Sequence, residues 1–315
     1  MSHEASATFP CFGSTCSVYV IGAGELGSAD QAVAWARERL EAWHHEFTRF
    51  EADSALSVMN EERCHAVAVS PELARFALLA RRAVELSGGL VNATLLGAIE
   101  SAGYTTDLAE PVDLREALRR APLRMPARPH PDDRWRLLRV DLDEGIVFRP
   151  PGLRLDSGGL AKGLFCDLLA ERLESHEAFA VDCAGDLRVG GAAGAERAIL
   201  VASPFDGAII HTFTATASAA ATSGIGRRSW IDTQGRSCHH LLDPSTGRPA
   251  FTGVVQVTAL APTAALAEVC AKAAILSGPD CARNWLPDGG VIVYDDEQHE
   301  VVDPSGVSQE SLSFL

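Results

Sequence analysis

The stretch that most constrains this chain is Arg154-Leu155-Asp156-Ser157-Gly158-Gly159-Leu160-Ala161-Lys162-Gly163-Leu164. It reads as the end of a strand, a double-glycine turn, and a helix whose first turns carry a lysine. Lacking Cβ, Gly158 and Gly159 let a ligand's phosphate approach the backbone. The first N–H groups of the helix are unpaired and sit at the positive end of its dipole. Lys162 adds a full positive charge, so the stretch is a candidate diphosphate cradle. Its spacing matches neither G-x-x-x-x-G-K-[ST] nor G-x-G-x-x-G. Taken alone, these residues equally suit a plain strand-to-helix turn with an exposed lysine.

The chain has 315 residues, 47% hydrophobic and 22% charged, which is enough to bury a substantial core. No internal repeat or linker divides it, so residues 1–315 read as a single domain. The charged, Pro-rich residues 107–133 read as a surface excursion. A net charge of −15 without any Lys/Arg run argues against nucleic acid or an anionic membrane face as partner. No apolar run reaches the roughly 18 residues of a membrane span. The N-terminus shows neither the basic nor the apolar part of a secretion signal. The eight cysteines include no C-x-x-C pair and read as reduced, mostly buried thiols, so a cytoplasmic protein is expected.

Local patterns predict the elements. Cys16–Ile21 reads as a strand. A helix from about Gln31 to Arg49, capped by Asp30, places Val33, Ala36, Leu40, Trp43 and Phe47 on one side. His44 and His45 diverge by about 100° on that helix and read as surface or interface residues. Ser70-Pro71-Glu72 opens a second helix. Gly89–Gly97 reads as a strand or loop, Leu137–Arg149 as a hairpin turning at Asp143-Glu144-Gly145, and Ala178–Gly191 as strand, glycine break, strand. A further hairpin turns at Thr233-Gln234-Gly235. Val254–Leu260 is a central-strand candidate, and Pro262-Thr263 opens a helix over Ala264–Leu276. Hairpins outnumber crossovers, which predicts an α+β fold with a mixed, mainly antiparallel sheet flanked by helices.

Functional side chains gather among small residues in three places: Asp156–Gly163, Ala184–Asp186, and His240 with the turn Asp243-Pro244-Ser245-Thr246-Gly247. A histidine beside a tight Asp-Pro turn is held rigidly, as a general base must be. A fourth segment puts Glu268 and Lys272 four residues apart on one helical face. The helix around them is almost wholly Ala, Leu, Val and Cys, which suits burial. Two buried charges must face each other or a charged ligand.

In chain order, Leu155-Asp156-x-Gly158-Gly159-x-Ala161-Lys162-Gly163, Ala184-Gly185-Asp186-Leu187, Ala221-Thr222-Ser223-Gly224 and His240-x-x-Asp243-Pro244-x-Thr246-Gly247-Arg248-Pro249 together resemble the FAD:protein FMN transferase (ApbE) family. Weaker matches are Phe12-Gly13-Ser14, where the family has Met-Gly-Thr, and Ser54-Ala55-Leu56-Ser57-x-x-Asn60. The resemblance implies FAD bound in a cleft and Mg²⁺ aiding cleavage of its diphosphate. FMN then moves to a threonine or serine hydroxyl of an acceptor flavoprotein, with release of AMP. It makes His240 the base and sets Lys162 and the backbone at Gly158 and Gly159 near the flavin or phosphates. Gly185, Asp186 and the start of the Asp243 turn then shape the cleft. Phe12, Gly13, Asn92, Thr94, Asp156 and Ser223 complete the implied FAD-binding set.

The resemblance also implies a metal held by the backbone carbonyl at Ala161 and by the Asp and Thr of an Ala-Asp-x-x-Ala-Thr motif. This chain departs there, reading Ala267-Glu268-x-x-Ala271-Lys272. A protonated lysine cannot ligate Mg²⁺. The family's Asp-Pro-Thr is Asn92-Ala93-Thr94 here, which removes a further acid. Either Lys272 replaces part of the metal's charge and pairs with Glu268, or Glu268 still holds Mg²⁺ with the lysine swung aside. Two readings of function follow: an active flavin transferase, or a non-catalytic flavin-binding protein that has lost the Mg²⁺ centre.

Overall fold

The computed structural model describes residues 2–106 and 111–305. Residues 107–110 of the expected surface excursion and the tail from 306 lie outside the described residues. Eight strands form the main sheet: β1 (Glu4–Cys11), β2 (Ser14–Ile21), β3 (Ala178–Cys183), β4 (Asp186–Gly190), β5 (Ser218–Gly224), β6 (Val254–Ala261), β7 (Gly290–Tyr294) and β8 (His299–Val302). They lie in sequence order, and each neighbouring pair is antiparallel. The expected central strand is β6, paired on both sides by β5 and β7.

Four longer helices accompany the sheet: α1 (Ala29–Phe47), α2 (Pro71–Leu86), α3 (Ala161–Leu173) and α4 (Ala264–Ser277). The apolar stripe of α1 is buried as its spacing predicts, but Ser28 is the cap rather than Asp30. Ser28 accepts from the Gln31 N–H while Gln31 reaches back to the Ser28 N–H, a reciprocal capping box. Asp30 sits in the first turn. Helix α2 starts as expected, with the Ser70 hydroxyl accepting from the Leu73 N–H at 3.2 Å. Helices α1, α3 and α4 lie side by side, α3 touching both neighbours, and all three pack on the sheet. Ala264 to Leu276 of α4 are all buried, Glu268 and Lys272 included. An all-round apolar helix can only sit in the interior.

Strand β1 has no counterpart among the sequence-predicted elements. It joins β2 through Phe12 and Gly13, both at positive φ (53° and 65°). The left-handed region is unusual for a residue as bulky as phenylalanine, and Phe12 is an expected site residue. Gly89–Gly97 is a loop running into a short helix at Leu96. The hairpins at Asp143-Glu144-Gly145 and Thr233-Gln234-Gly235 form as expected. Among the described residues, no helix is long and apolar enough to cross a membrane.

Candidate functional site

The double-glycine stretch forms one wall of a cleft. Asn60 holds it from behind: its Nδ2 donates to the Leu155 carbonyl, and its Oδ1 accepts from the Leu155 N–H, both at 2.8 Å. The Asp156 N–H donates to the Ala93 carbonyl at 2.8 Å, and the Ser157 hydroxyl donates to the Phe47 carbonyl at 2.8 Å. The turn is thus fixed to three separate segments before α3 begins. With residues of that stretch included, the cleft is lined by Phe12, Gly13, Asn92, Asp156, Gly158, Gly159, Ala161, Lys162, His240 and Lys272. Those are ten of the positions expected from the sequence.

Thr94, Gly185, Asp186, Ser223, Asp243 and Glu268 do not line it, each for a local reason. Thr94 donates its N–H and hydroxyl to Asn92 Oδ1 at 2.9 and 2.7 Å, bracing that neighbour. Gly185 supplies a positive φ of 98° to the β3–β4 turn. Asp243 Oδ1 accepts from the N–H groups of Arg128 and Ser245, both at 3.0 Å, so it ties its own turn to the Pro-rich segment. Asp186, Ser223 and Glu268 stand directly behind the cleft-lining lysines.

These residues form a buried cluster of four charges. Lys162 Nζ donates to Asp186 Oδ2 and lies 3.4 Å from Glu268 Oε1. Lys272 Nζ donates to Glu268 Oε1 at 3.0 Å and to the Ser223 hydroxyl at 3.3 Å. Glu268 Oε2 accepts the Gly163 N–H at 3.1 Å. Part of the helix N-terminus offered to a phosphate by the sequence is therefore occupied by a protein carboxylate. Glu268 is fully shielded and Lys272 is 7% exposed, so the pairing is sheltered from solvent. Burial pushes the Glu268 pKa up, but the charges of Lys162 and Lys272 outweigh it and hold the carboxyl below its ordinary range. Burial and the Glu268 charge together raise Asp186 to about 7 against the pull of the lysines.

His240 lines the cleft beside the cluster. Its backbone N–H donates to the Arg228 carbonyl at 3.2 Å, and its buried Nδ1 has no hydrogen-bond partner among the described residues. Burial, aided by the charges of Arg228, His239 and Lys272, holds its pKa well below the ordinary histidine value. The imidazole is therefore neutral at neutral pH.

Three cleft residues went unrecognised in the sequence. Arg49 Nε pairs with Asp156 Oδ1 at 3.2 Å, and its guanidinium lies over the rings of Phe50 and Tyr104, 4.4 and 4.6 Å from their centroids. Arg228 donates to the carbonyls of Gly158 and Phe12, both at 3.3 Å, joining the two tight turns that meet at the cleft. His44 was expected at the surface or in an interface, yet it lines the cleft with its ring edge-on to Phe12, centroids 5.3 Å apart. The Arg227-Arg228 pair just before the hairpin that returns to His240 was the available signal. An arginine is read as solvated by default, which hid it.

A family model described as the ApbE family matches residues 12–294. This chain belongs to the ApbE family. It is 28% identical over 249 residues to the FAD:protein FMN transferase of Treponema pallidum, covering 72% of this chain and 66% of that relative. It is 28% identical over 150 residues to the Escherichia coli protein of the same name, covering 46% of this chain and 42% of the relative. The match thus spans just under two thirds of the first relative and less than half of the second. The fold matches the ApbE protein of Thermotoga maritima at a TM-score of 0.74 with 24% identity, over 95% of this chain and 97% of that one. The flavin transferase ApbE of Vibrio cholerae matches at 0.71 with 21% identity, over 96% and 98%.

The resemblance to ApbE proteins implies Mg²⁺, and the residues present can be tested against it. Mg²⁺ needs about six oxygens near 2.1 Å in octahedral array. Here both Glu268 oxygens are engaged, and the side chain four residues on is an ammonium instead of an oxygen donor. An ion bound to Glu268 Oε1 would lie within about 6 Å of both ammoniums, each repelling it by about 6 kcal/mol at an effective dielectric near 20. The donor set does not fit Mg²⁺.

Proposed function

We propose that this chain transfers FMN from FAD to a threonine or serine hydroxyl of an acceptor flavoprotein, releasing AMP. The observation that carries this reading is the convergence of a neutral, partly unpartnered imidazole, His240, with two ammoniums and the glycine turn on one cleft. The names borne by the relatives support it. In the proposed step the acceptor hydroxyl oxygen attacks the phosphorus of the FMN half of FAD. A new P–O bond forms there, and the bond from that phosphorus to the bridging oxygen breaks. AMP leaves with the bridging oxygen, and the hydroxyl proton passes to His240. Lys162 and Lys272 offset charge gathering on the phosphoryl oxygens.

His240 also bears on the alternative of a non-catalytic flavin-binding protein, which has no use for a cleft-facing base. Incubation with FAD and an acceptor flavoprotein should add one FMN mass to the acceptor. His240→Ala should slow that transfer by about 100-fold or more, the usual scale for a general base. It should leave FAD affinity within about threefold. Transfer at the wild-type rate would remove His240 from the role of base.

A further inference from the structure

We propose that the ammonium of Lys272 is the built-in cation of this cleft, taking a diphosphate oxygen of FAD directly, so that neither FAD binding nor FMN transfer needs a divalent metal. The inference rests on reading the cleft as an FAD site. An ammonium has three N–H donors. One goes to Glu268 Oε1 at 3.0 Å and one to the Ser223 hydroxyl at 3.3 Å. The third has no protein acceptor among the described residues, and Lys272 lines the cleft. Gly159 of the double-glycine turn lies close to the same side chain: a Cβ there would stand 3.2 Å from Lys272 Cε. The lysine stem is therefore confined between α4 and the double-glycine turn, which is where a diphosphate would contact backbone.

The cluster holds two carboxylates and two ammoniums, Asp186 and Glu268 against Lys162 and Lys272. A site built for a dication needs surplus negative charge, whereas a cluster with no surplus of acids over amines and a lysine at the cleft wall suits an anion. Glu268 fixes the lysine's position instead of ligating a metal.

The test is calorimetric titration of FAD into the purified full chain, once in EDTA and once in millimolar Mg²⁺, with riboflavin as the phosphate-free control. The two FAD affinities should agree within about threefold. Lys272→Met should weaken FAD by about tenfold, equivalent to about 1.4 kcal/mol, with riboflavin unmoved and Lys272→Arg restoring much of the loss. FMN transfer should persist in EDTA. A gain of more than about threefold in FAD affinity from Mg²⁺, or transfer abolished by EDTA, would overturn the inference and leave the FAD reading standing. Should Lys272→Met fail to fold, the two wild-type titrations still decide. FAD binding in neither buffer would remove the FAD reading and this inference together.

Discussion

Helices α3 and α4 exchange two buried carboxylates that do opposite jobs. Asp167 of α3 accepts the Ala264 and Ala265 N–H groups of α4 at 2.8 and 2.9 Å. Glu268 of α4 accepts the Gly163 N–H of α3 at 3.1 Å. Each caps the other's first turns. Asp167 has only amides as hydrogen-bond partners, and burial raises its pKa to about 6 despite them. Glu268 has the same kind of amide plus two ammoniums, and its pKa falls instead. Both are buried and both accept backbone N–H groups, so neither trait marks the functional carboxylate. The charged partners facing the cleft do.

The sharpest way to break this contrast is to remove each acid in turn. Glu268→Ala leaves two ammoniums without their shared buried partner and should cost about 3–5 kcal/mol in urea denaturation. It should also alter FAD affinity. Asp167→Ala strands two helix N–H groups and should cost about 1–3 kcal/mol while leaving FAD affinity within about twofold. Equal shifts in affinity for the two variants would erase the distinction. A smaller effect is a pH slope. The native state keeps the Asp167 proton up to about 6, whereas its ordinary value is 3.8. The unfolded chain therefore binds fewer protons in that window, and this group's contribution to stability falls as pH rises through it, then levels. Asp167→Asn should flatten that part of the profile, measured as the difference between variant and parent from pH 4 to 8. Ser223→Ala takes one of two hydrogen bonds from the buried Lys272 ammonium and should cost about 1.5–3 kcal/mol. A larger loss would make Ser223 an equal partner of Glu268 in holding the lysine.

The sequence made most of this scaffold legible where local chemistry decides structure. Ser70 and Thr263 open helices because their hydroxyls accept from the free N–H groups three residues on. The burial of Glu268 with Lys272 followed from the apolar helix around them. Strand β1 was missed because Glu4–Cys11 mixes small residues with Pro10, and its strand character comes from pairing along all of β2. Arg49, Arg228 and His44 were missed for a related reason. Their partners, Asp156, the Gly158 and Phe12 carbonyls and the Phe12 ring, are brought to them only by long-range folding. Lys162 was legible as a cleft cation but not as half of an ion pair, since Asp186 reaches it from the neighbouring sheet.

Gly163 gives the charged cluster its dimensions. A Cβ on that residue would stand 2.7 Å from the Ala264 carbonyl oxygen and 2.8 Å from the Ala265 nitrogen, both backbone atoms that cannot swing away. The two helices therefore meet main chain to main chain, one residue from Lys162 and one turn from Glu268. The backbone spacing between Lys162 and Glu268 is therefore set by a rigid mechanical stop. A single methyl group added at this stop would act as a wedge, changing the spacing of acid and amine in the cleft without altering any charged residue.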